Sequence, residues 1–272
     1  MKKSLLLSVI IFIVVSFCTN DLSAQSFFLR QKSGTWLAGE VNFLNVSNDY
    51  KHYSGLNTAL NLKLKTTEKF YLIAELPIVH GSADYMHYDN KSETAIGNPF
   101  IGFQVFTKIK GLSFISGVRL PAADKEKSIA YFPSYYSDLE KFTAFFSEVV
   151  GINILSSYEF DISNRFFGSL SFGPSLMIPK KNEYNDTELY ANYSFALGFN
   201  NELFKISSGI TGIMIISESD LNFDERTLHH FVLSGAVNLG KLLPGITARI
   251  PMDEFSVQGF ILGLSLGLRL GD

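Results

Sequence analysis

Cysteine is almost absent from the sequence, proline is sparse, and no long apolar run follows the first two dozen residues. Cys18 is the single cysteine among 272 residues, which excludes a disulfide framework and cysteine metal sites. The 5 histidines form no spaced motif such as HExxH, so we predict neither a metal nor a cofactor. A net charge of -3 gives no basic excess, and we expect no nucleic-acid partner.

The N-terminus has the three-part order of a secretory signal peptide. Met1, Lys2 and Lys3 are followed by an apolar stretch over 5–17 and a polar stretch that ends at Ala24. The apolar stretch is shorter than the ~20 residues of a spanning helix. We predict a Sec signal over 1–24, cleaved after Ala24. A retained anchor, or a lipoprotein lipidated at Cys18, are the alternatives.

Alternation with a period of two runs through the remaining sequence and predicts β-strands. Residues 189–200 place large apolar side chains on one face and mostly small or polar side chains on the other. Residues 56–65 and 260–270 repeat the pattern. No stretch after the signal reaches ~18 apolar residues, so no transmembrane helix is expected.

The length of these strands and the chemistry of their polar face favour a membrane barrel over a soluble sandwich. The strands run to about 10 residues or more, as a tilted span of a bilayer requires, whereas globular strands peak near 5–6. The polar face is rich in Gly, Ser, Ala and Asn, which suit the confined interior of a closed sheet. We predict an all-β, up-and-down transmembrane barrel over 25–272, placed in a bacterial outer membrane.

The spacing predicts about twelve strands joined by alternately short and long connections. Short turns on one side and longer loops on the other are typical of outer-membrane barrels, and an even strand number puts both termini in the periplasm. Outer-membrane lipid and the barrel-assembly machinery are the expected partners. The strands are predicted near 35–46, 56–65, 69–79, 95–107, 111–121, 143–160, 166–178, 187–200, 203–217, 228–239, 243–251 and 257–270.

A local motif over 69–107 resembles a known family. A strand ending Glu75-Leu76-Pro77-Ile78 is followed by a polar loop and then by Gly97-Asn98-Pro99, with a weaker echo in 119–121. This resembles the MetA-type outer-membrane transporter family of the phenol meta-cleavage pathway. The resemblance implies a β-barrel that passes small, often hydrophobic molecules. Such a resemblance predicts the fold of this chain better than it predicts the substrate.

Strand parity directs a set of polar and charged side chains into the lumen. They would form a charged constriction that selects a small solute, or a salt-bridged filling of a narrow lumen. Glu40 and Arg269 lie on neighbouring strands of a closed barrel and are expected to pair. The candidate lumen residues are Glu40, Glu75, Gln104, Arg119, Lys205, Arg249 and Arg269.

The longest connection, 122–142, is rich in aromatic residues. We predict that Tyr131, Phe132, Tyr135 and Tyr136 gate the mouth, against the alternative of an aromatic interface belt on a surface loop. The predicted function is a passive channel for small molecules, hydrophobic ones included, and not an enzyme. The alternatives are a non-conducting barrel that acts through its loops and, more distantly, a lipase.

A lipase would need a serine and a histidine close together. His230 and Ser234 share a face of one predicted strand, but parity turns that face toward the lumen instead of toward lipid. We predict no catalytic residues.

Overall fold

The computed structural model describes residues 33–48, 51–85, 88–180, 186–218, 220, 222–253 and 258–271. The predicted signal peptide over 1–24 lies outside these residues. Within the described residues, no helix has the length and apolarity to cross a membrane.

Antiparallel strands dominate the described residues and follow one another around a single sheet. Each strand pairs with its neighbours in sequence, except that β4 and β5 both pair with β3, and β1 pairs with both β2 and β13. The strands are β1 (Thr35–Asn48), β2 (Lys51–Lys65), β3 (Phe70–Tyr85), β4 (Tyr88–Ile96), β5 (Phe100–Phe106), β6 (Leu112–Arg119), β7 (Val149–Asp161), β8 (Phe166–Pro179), β9 (Glu188–Asn200), β10 (Phe204–Ile215), β11 (Thr227–Val237), β12 (Leu242–Pro251) and β13 (Gln258–Gly271).

The sheet closes into a barrel of 12 strands, as predicted. β4 and β5 count as one barrel strand, because both pair with β3 on the same side. β4 pairs with the half of β3 beyond Pro77, and β5 pairs with the half up to Glu75. Residues 97–99 form the break between them.

The alternation seen in the sequence becomes an apolar outer surface and a mainly polar inner surface. On β9, Phe195 and Leu197 are exposed on the outside, whereas Asn192 and Ser194 are buried in the lumen. Exposed leucine, isoleucine and phenylalanine side chains continue around the outside of the other strands. An outward apolar band around a polar lumen is the arrangement that a bilayer requires of a barrel.

The two rims of the barrel differ, and some predicted boundaries were wrong. Short turns at 66–69, 107–111, 162–165, 201–203 and 238–241 form one rim, the turn rim, and the opposite end is the loop rim. The predicted loops 47–55 and 80–94 are largely strand, because β2, β3 and β4 extend past the loop rim. In this extension, the small residues Gly81 and Ala83 pack on the segment between β6 and β7, which folds inside the barrel. Polar residues surround them in the sequence, so the stretch was predicted to be a loop. Residues 143–148, predicted to begin a strand, belong to that segment.

Candidate functional site: a plugged lumen

Residues 120–148, between β6 and β7, fold back into the barrel mouth and are called the plug below. The plug consists of one helical turn, α1 (Ser128–Tyr131), and the 3-10 helices Lys125–Lys127, Pro133–Tyr136 and Leu139–Ala144. The side chains of Asp124 and Asp138 accept hydrogen bonds from the amides of Glu126 and Glu140, at 3.0 and 3.2 Å. These caps satisfy the first amide groups of two short helices, so the plug carries much of its own backbone hydrogen bonding.

The four predicted gate aromatics lie in the mouth and do not form a lipid-facing belt. Tyr131 is buried, and its hydroxyl donates to the Ile96 carbonyl at 2.8 Å. The Phe132 ring lies 4.3 Å from the Tyr53 ring of β2 and contacts the ring of Tyr136. Tyr135 stacks on Phe146 within the plug. Gating by these four residues stays a prediction.

An ion-pair cluster, called the plug cluster, joins the plug to the barrel wall and consists of Glu40, Glu75, Arg119, Asp138, Lys141 and Arg249. The ammonium of Lys141 lies 2.9 Å from Glu40 and 3.1 Å from Glu75, which project from β1 and β3. Glu75 also forms an ion pair with Arg119 of β6, at 2.8 Å. On the other side, Arg249 of β12 contacts two carboxylates, that of Asp138 at 3.3 Å and that of Glu40 at 3.6 Å. Three wall strands, β1, β3 and β12, therefore contact two plug residues directly, and β6 joins the cluster through the contact of Arg119 with Glu75.

Burial and charge act differently on the two plug members of this cluster. Burial alone would lower the pKa of the Lys141 ammonium, but the carboxylates of Glu40, Glu75 and Asp138 outweigh it and raise that pKa. Burial raises the pKa of the Asp138 carboxyl, and Arg249 and Lys141 only partly offset the increase. Lys141 is therefore the charged centre of the cluster, and Asp138 is its less favourably placed carboxylate.

Asn98 fastens both ends of the plug to the break between β4 and β5. Its amide nitrogen donates to the carbonyls of Thr143 and Phe146, at 3.1 and 2.7 Å. Its amide oxygen accepts from the backbone of Ala122 and Ala123, both at 2.9 Å. The sequence contained a signal for this residue, since Asn98 is the centre of the Gly97-Asn98-Pro99 motif, but its role in holding a distant loop was missed.

The structure brings together four of the seven predicted lumen residues. Glu40, Glu75, Arg119 and Arg249 share the plug cluster, and Gln104 donates to Ser113 at 3.1 Å on the same side. Lys205 instead pairs with Glu159 at 2.5 Å, under the ring of Phe167. Arg269 lies opposite Trp36 near the turn rim, and β1–β13 register places Ser265 opposite Glu40. The expected Glu40–Arg269 pairing is replaced by the contacts of Glu40 with Lys141 and Arg249.

A cavity of about 110 Å³ lies in the lumen directly beneath the plug. Glu140 and Lys141 of the plug contribute to its lining, and the remaining lining comes from strands on both sides of the barrel. The polar lining includes Asn61, Lys63, Glu75, Gln104, Arg119, Glu140 and Lys141.

The serine and histidine considered for a lipase do not form a nucleophile–base pair. The Ser234 hydroxyl lies 2.8 Å from the Ser207 hydroxyl, while both ring nitrogens of the buried His230 lack a hydrogen-bond partner. The neighbouring His229 lies between Asp253, at 2.8 Å, and the Tyr193 hydroxyl, at 2.6 Å. Among the described residues, no group of three His, Cys, Asp or Glu side chains is placed to hold a metal ion.

Sequence comparison finds no protein-family profile and no curated protein that match this chain. The relation to the MetA-type family therefore stays a prediction from the local motif.

Comparison with solved structures defines the class of fold. An outer membrane channel from Pseudomonas putida F1 superposes with a TM-score of 0.62 at 9% identity, covering 87% of this chain and 96% of that one. The β domain of the Bordetella autotransporter BrkA gives 0.53 at 9% identity, covering 87% and 99%. The translocator domain of the autotransporter NalP from Neisseria meningitidis gives 0.53 at 11%, covering 88% and 89%. The chain thus has the fold of the outer-membrane β-barrels.

Proposed function

We propose that this protein is an outer-membrane channel for small molecules, and that the plug closes its lumen in the state described here. The plug cluster carries this proposal, because it holds a loop inside a barrel that is otherwise lined by polar side chains. The structural similarity to an outer membrane channel supports it. The resemblance of residues 69–107 to the MetA-type family favours solutes with an apolar part.

The proposed topology follows from the two rims. The signal sequence would export the chain by the Sec route, and the barrel-assembly machinery would insert it into the outer membrane. The turn rim, where β1 begins and β13 ends, would then face the periplasm, and the loop rim would face outward.

The charge pattern of the cluster is suited to a plug that can leave. Wall residues Glu75 and Arg119 already contact one another, as do Glu40 and Arg249. Within the plug, Lys141 lies 4.0 Å from Asp138. Withdrawal of the plug therefore separates one neutral group of side chains from another. It avoids the cost of several kcal/mol that a buried charge without a partner would carry.

Plug removal tests the channel directly. Arg119 pairs with Gly151 across β6 and β7, so a short Gly-Ser linker can replace residues 122–146 without opening the barrel. We expect small, rare conductance steps from the wild-type protein in planar bilayers, and large, steady ones from the deletion. Replacement of residues 222–225 in another connection at the same rim is the control and should leave conductance at the wild-type level. A correctly folded deletion variant without conductance or solute flux would refute the channel.

A non-conducting barrel that acts through its surface is the second candidate. It is favoured by the extension of β2, β3 and β4 past the loop rim, where they pack on the plug through Tyr53 and Ala83. In that case, deletion of 125–136 should abolish surface binding while neither the wild-type nor the variant barrel conducts.

A further inference from the structure

We propose that the cavity beneath the plug is a binding site for a small organic acid, with a carboxylate head and a short apolar tail. The inference rests on the proposed channel, since it assigns a solute class to the same lumen. It starts from buried polar groups in the cavity lining and from the side chains beside them.

Two buried hydrogen-bond donors in the lining have no partner. The amide nitrogen of Asn61, on β2, and Nε of Arg119, on β6, are both buried without a hydrogen bond. Asn61 is 6% exposed and Arg119 is 4% exposed. A buried donor without an acceptor is costly, so an acceptor supplied by a ligand would be stabilising at this position.

The surroundings of these donors define the charge and shape of the acceptor. The ammonium of Lys63, two residues from Asn61 on the same face of β2, lies 4.5 Å from the centre of the Tyr71 ring. The guanidinium of Arg119 lies 5.4 Å from the centre of the Phe100 ring, which also lines the cavity. Three cations, Lys63, Arg119 and Lys141, outnumber the two carboxylates in the lining, Glu75 and Glu140, which favours an anionic acceptor. A planar carboxylate can receive hydrogen bonds on both of its oxygens.

Volume and apolar lining distinguish an organic acid from an inorganic anion. Ile73, Phe100 and Ile115 line the same cavity as the donors. A cavity of about 110 Å³ is somewhat smaller than the engineered cavity of about 150 Å³ that accepts benzene. Propionate and butyrate fit this space, with the carboxylate at Asn61 and Arg119 and the alkyl tail against the apolar residues.

Calorimetric titration of the purified full chain in detergent micelles tests the site without requiring transport. At constant ionic strength, propionate should give saturable heat, whereas its neutral isostere propionamide and inorganic phosphate should not. Equal binding of propionamide would overturn the proposal, as would the absence of saturable propionate binding. Phosphate binding as tight as that of propionate would also overturn it, since it would indicate a site for any small anion.

Two variants then locate the site. Asn61→Leu removes one donor, and Arg119→Lys keeps the positive charge but removes Nε; each should weaken propionate binding about tenfold. Ser169→Ala removes another buried, unpartnered lumen group outside the cavity, and should bind propionate as the wild type does. Unchanged affinity in folded Asn61→Leu would refute the assignment. Binding without flux would support this site and count against the channel, and flux without binding would do the reverse.

Discussion

The plug lies between two walls of the barrel that hold it by different interactions. The charged wall, formed by β12, β1, β2, β3 and β6, presents carboxylates, amides and guanidinium groups to the plug. Near the loop rim it also contacts the plug through the apolar side chains of Tyr53, Val79 and Ala83. The serine wall, formed by β7 to β11, contacts the plug through an apolar cluster near the loop rim that contains Leu139, Val149, Met177, Tyr190 and Ile213. Below that cluster the serine wall carries mainly small hydroxyl groups, namely Ser157, Ser169, Ser171, Ser175, Ser194, Ser207 and Ser234.

This difference indicates how the plug combines a fixed position with reversible attachment. Apolar contacts favour burial but specify position weakly, because they are not directional. Buried ion pairs add little net stability once desolvation is counted, yet removal of a single partner is strongly destabilising. We infer that apolar contacts on both walls supply the adhesion. The ion pairs of the charged wall set the register of the plug and make its seating sensitive to single charges.

Loss of the central cation should have the largest effect. The cluster holds three carboxylates and three cations, so Lys141→Met leaves one buried carboxylate in excess while the plug is seated. We expect the plug to be destabilised by about 3 kcal/mol. Hydrogen exchange at the amides of 139–144 should then accelerate roughly a hundredfold. Lys110→Met is the matched control, because Lys110 pairs with Asp161 at 2.6 Å on an exposed turn. Exchange in Lys141→Met no faster than in Lys110→Met would contradict the role of the charged wall.

Truncation on the apolar side should have a somewhat smaller effect. Leu139 is buried in the cluster on the serine wall, and Leu139→Ala should cost about 2–3 kcal/mol. The plug amides should again exchange faster, while those of the barrel strands remain protected. Leu120→Ala, at an exposed position where the plug begins, is the control and should change exchange little. If Leu139→Ala left exchange unchanged, the apolar cluster on the serine wall would not contribute to the adhesion.

A steric change at the extended sheet should have a smaller effect again. A Cβ added at Gly81 of β3 would lie 2.0 Å from the Ile129 carbonyl oxygen in α1. Gly81→Ala should therefore displace α1 at a cost of about 1–2 kcal/mol. Gly39→Ala is the matched control, since an added Cβ there meets nothing within 4 Å. Limited proteolysis should cleave the plug faster in Gly81→Ala than in Gly39→Ala. Equal cleavage rates would show that the extension of β2, β3 and β4 past the loop rim does not hold α1.

The sequence predicted the barrel much better than the site, and the reason is physical. The face of each residue follows from a local period of two, so the inward direction of Glu40, Glu75, Arg119 and Arg249 could be predicted from their own strands. The partners of these residues could not, because Asp138 and Lys141 come from a connection with no repeating pattern. The register between β1 and β13 likewise determines that Arg269 faces Trp36, and parity alone does not specify register.

Substitution of Asp138 should have the smallest effect on plug stability. The sign of that effect distinguishes the role of Asp138 from that of Lys141. Burial raises the pKa of Asp138, so its ionised form is disfavoured in the plugged state. A raised pKa stabilises the folded state at low pH, and this contribution is lost as the pH rises through that pKa.

Asp138→Asn removes the buried charge, and its amide oxygen can still accept a hydrogen bond from Arg249, which lies 3.3 Å from the carboxylate. Exchange at 139–144 should therefore be equal to or slightly slower than in the wild type at neutral pH, with the difference vanishing as the pH falls. If Asp138→Asn released the plug as fully as Lys141→Met, the two plug charges would be equivalent, and the charged wall would hold the plug through both of them instead of through one central cation.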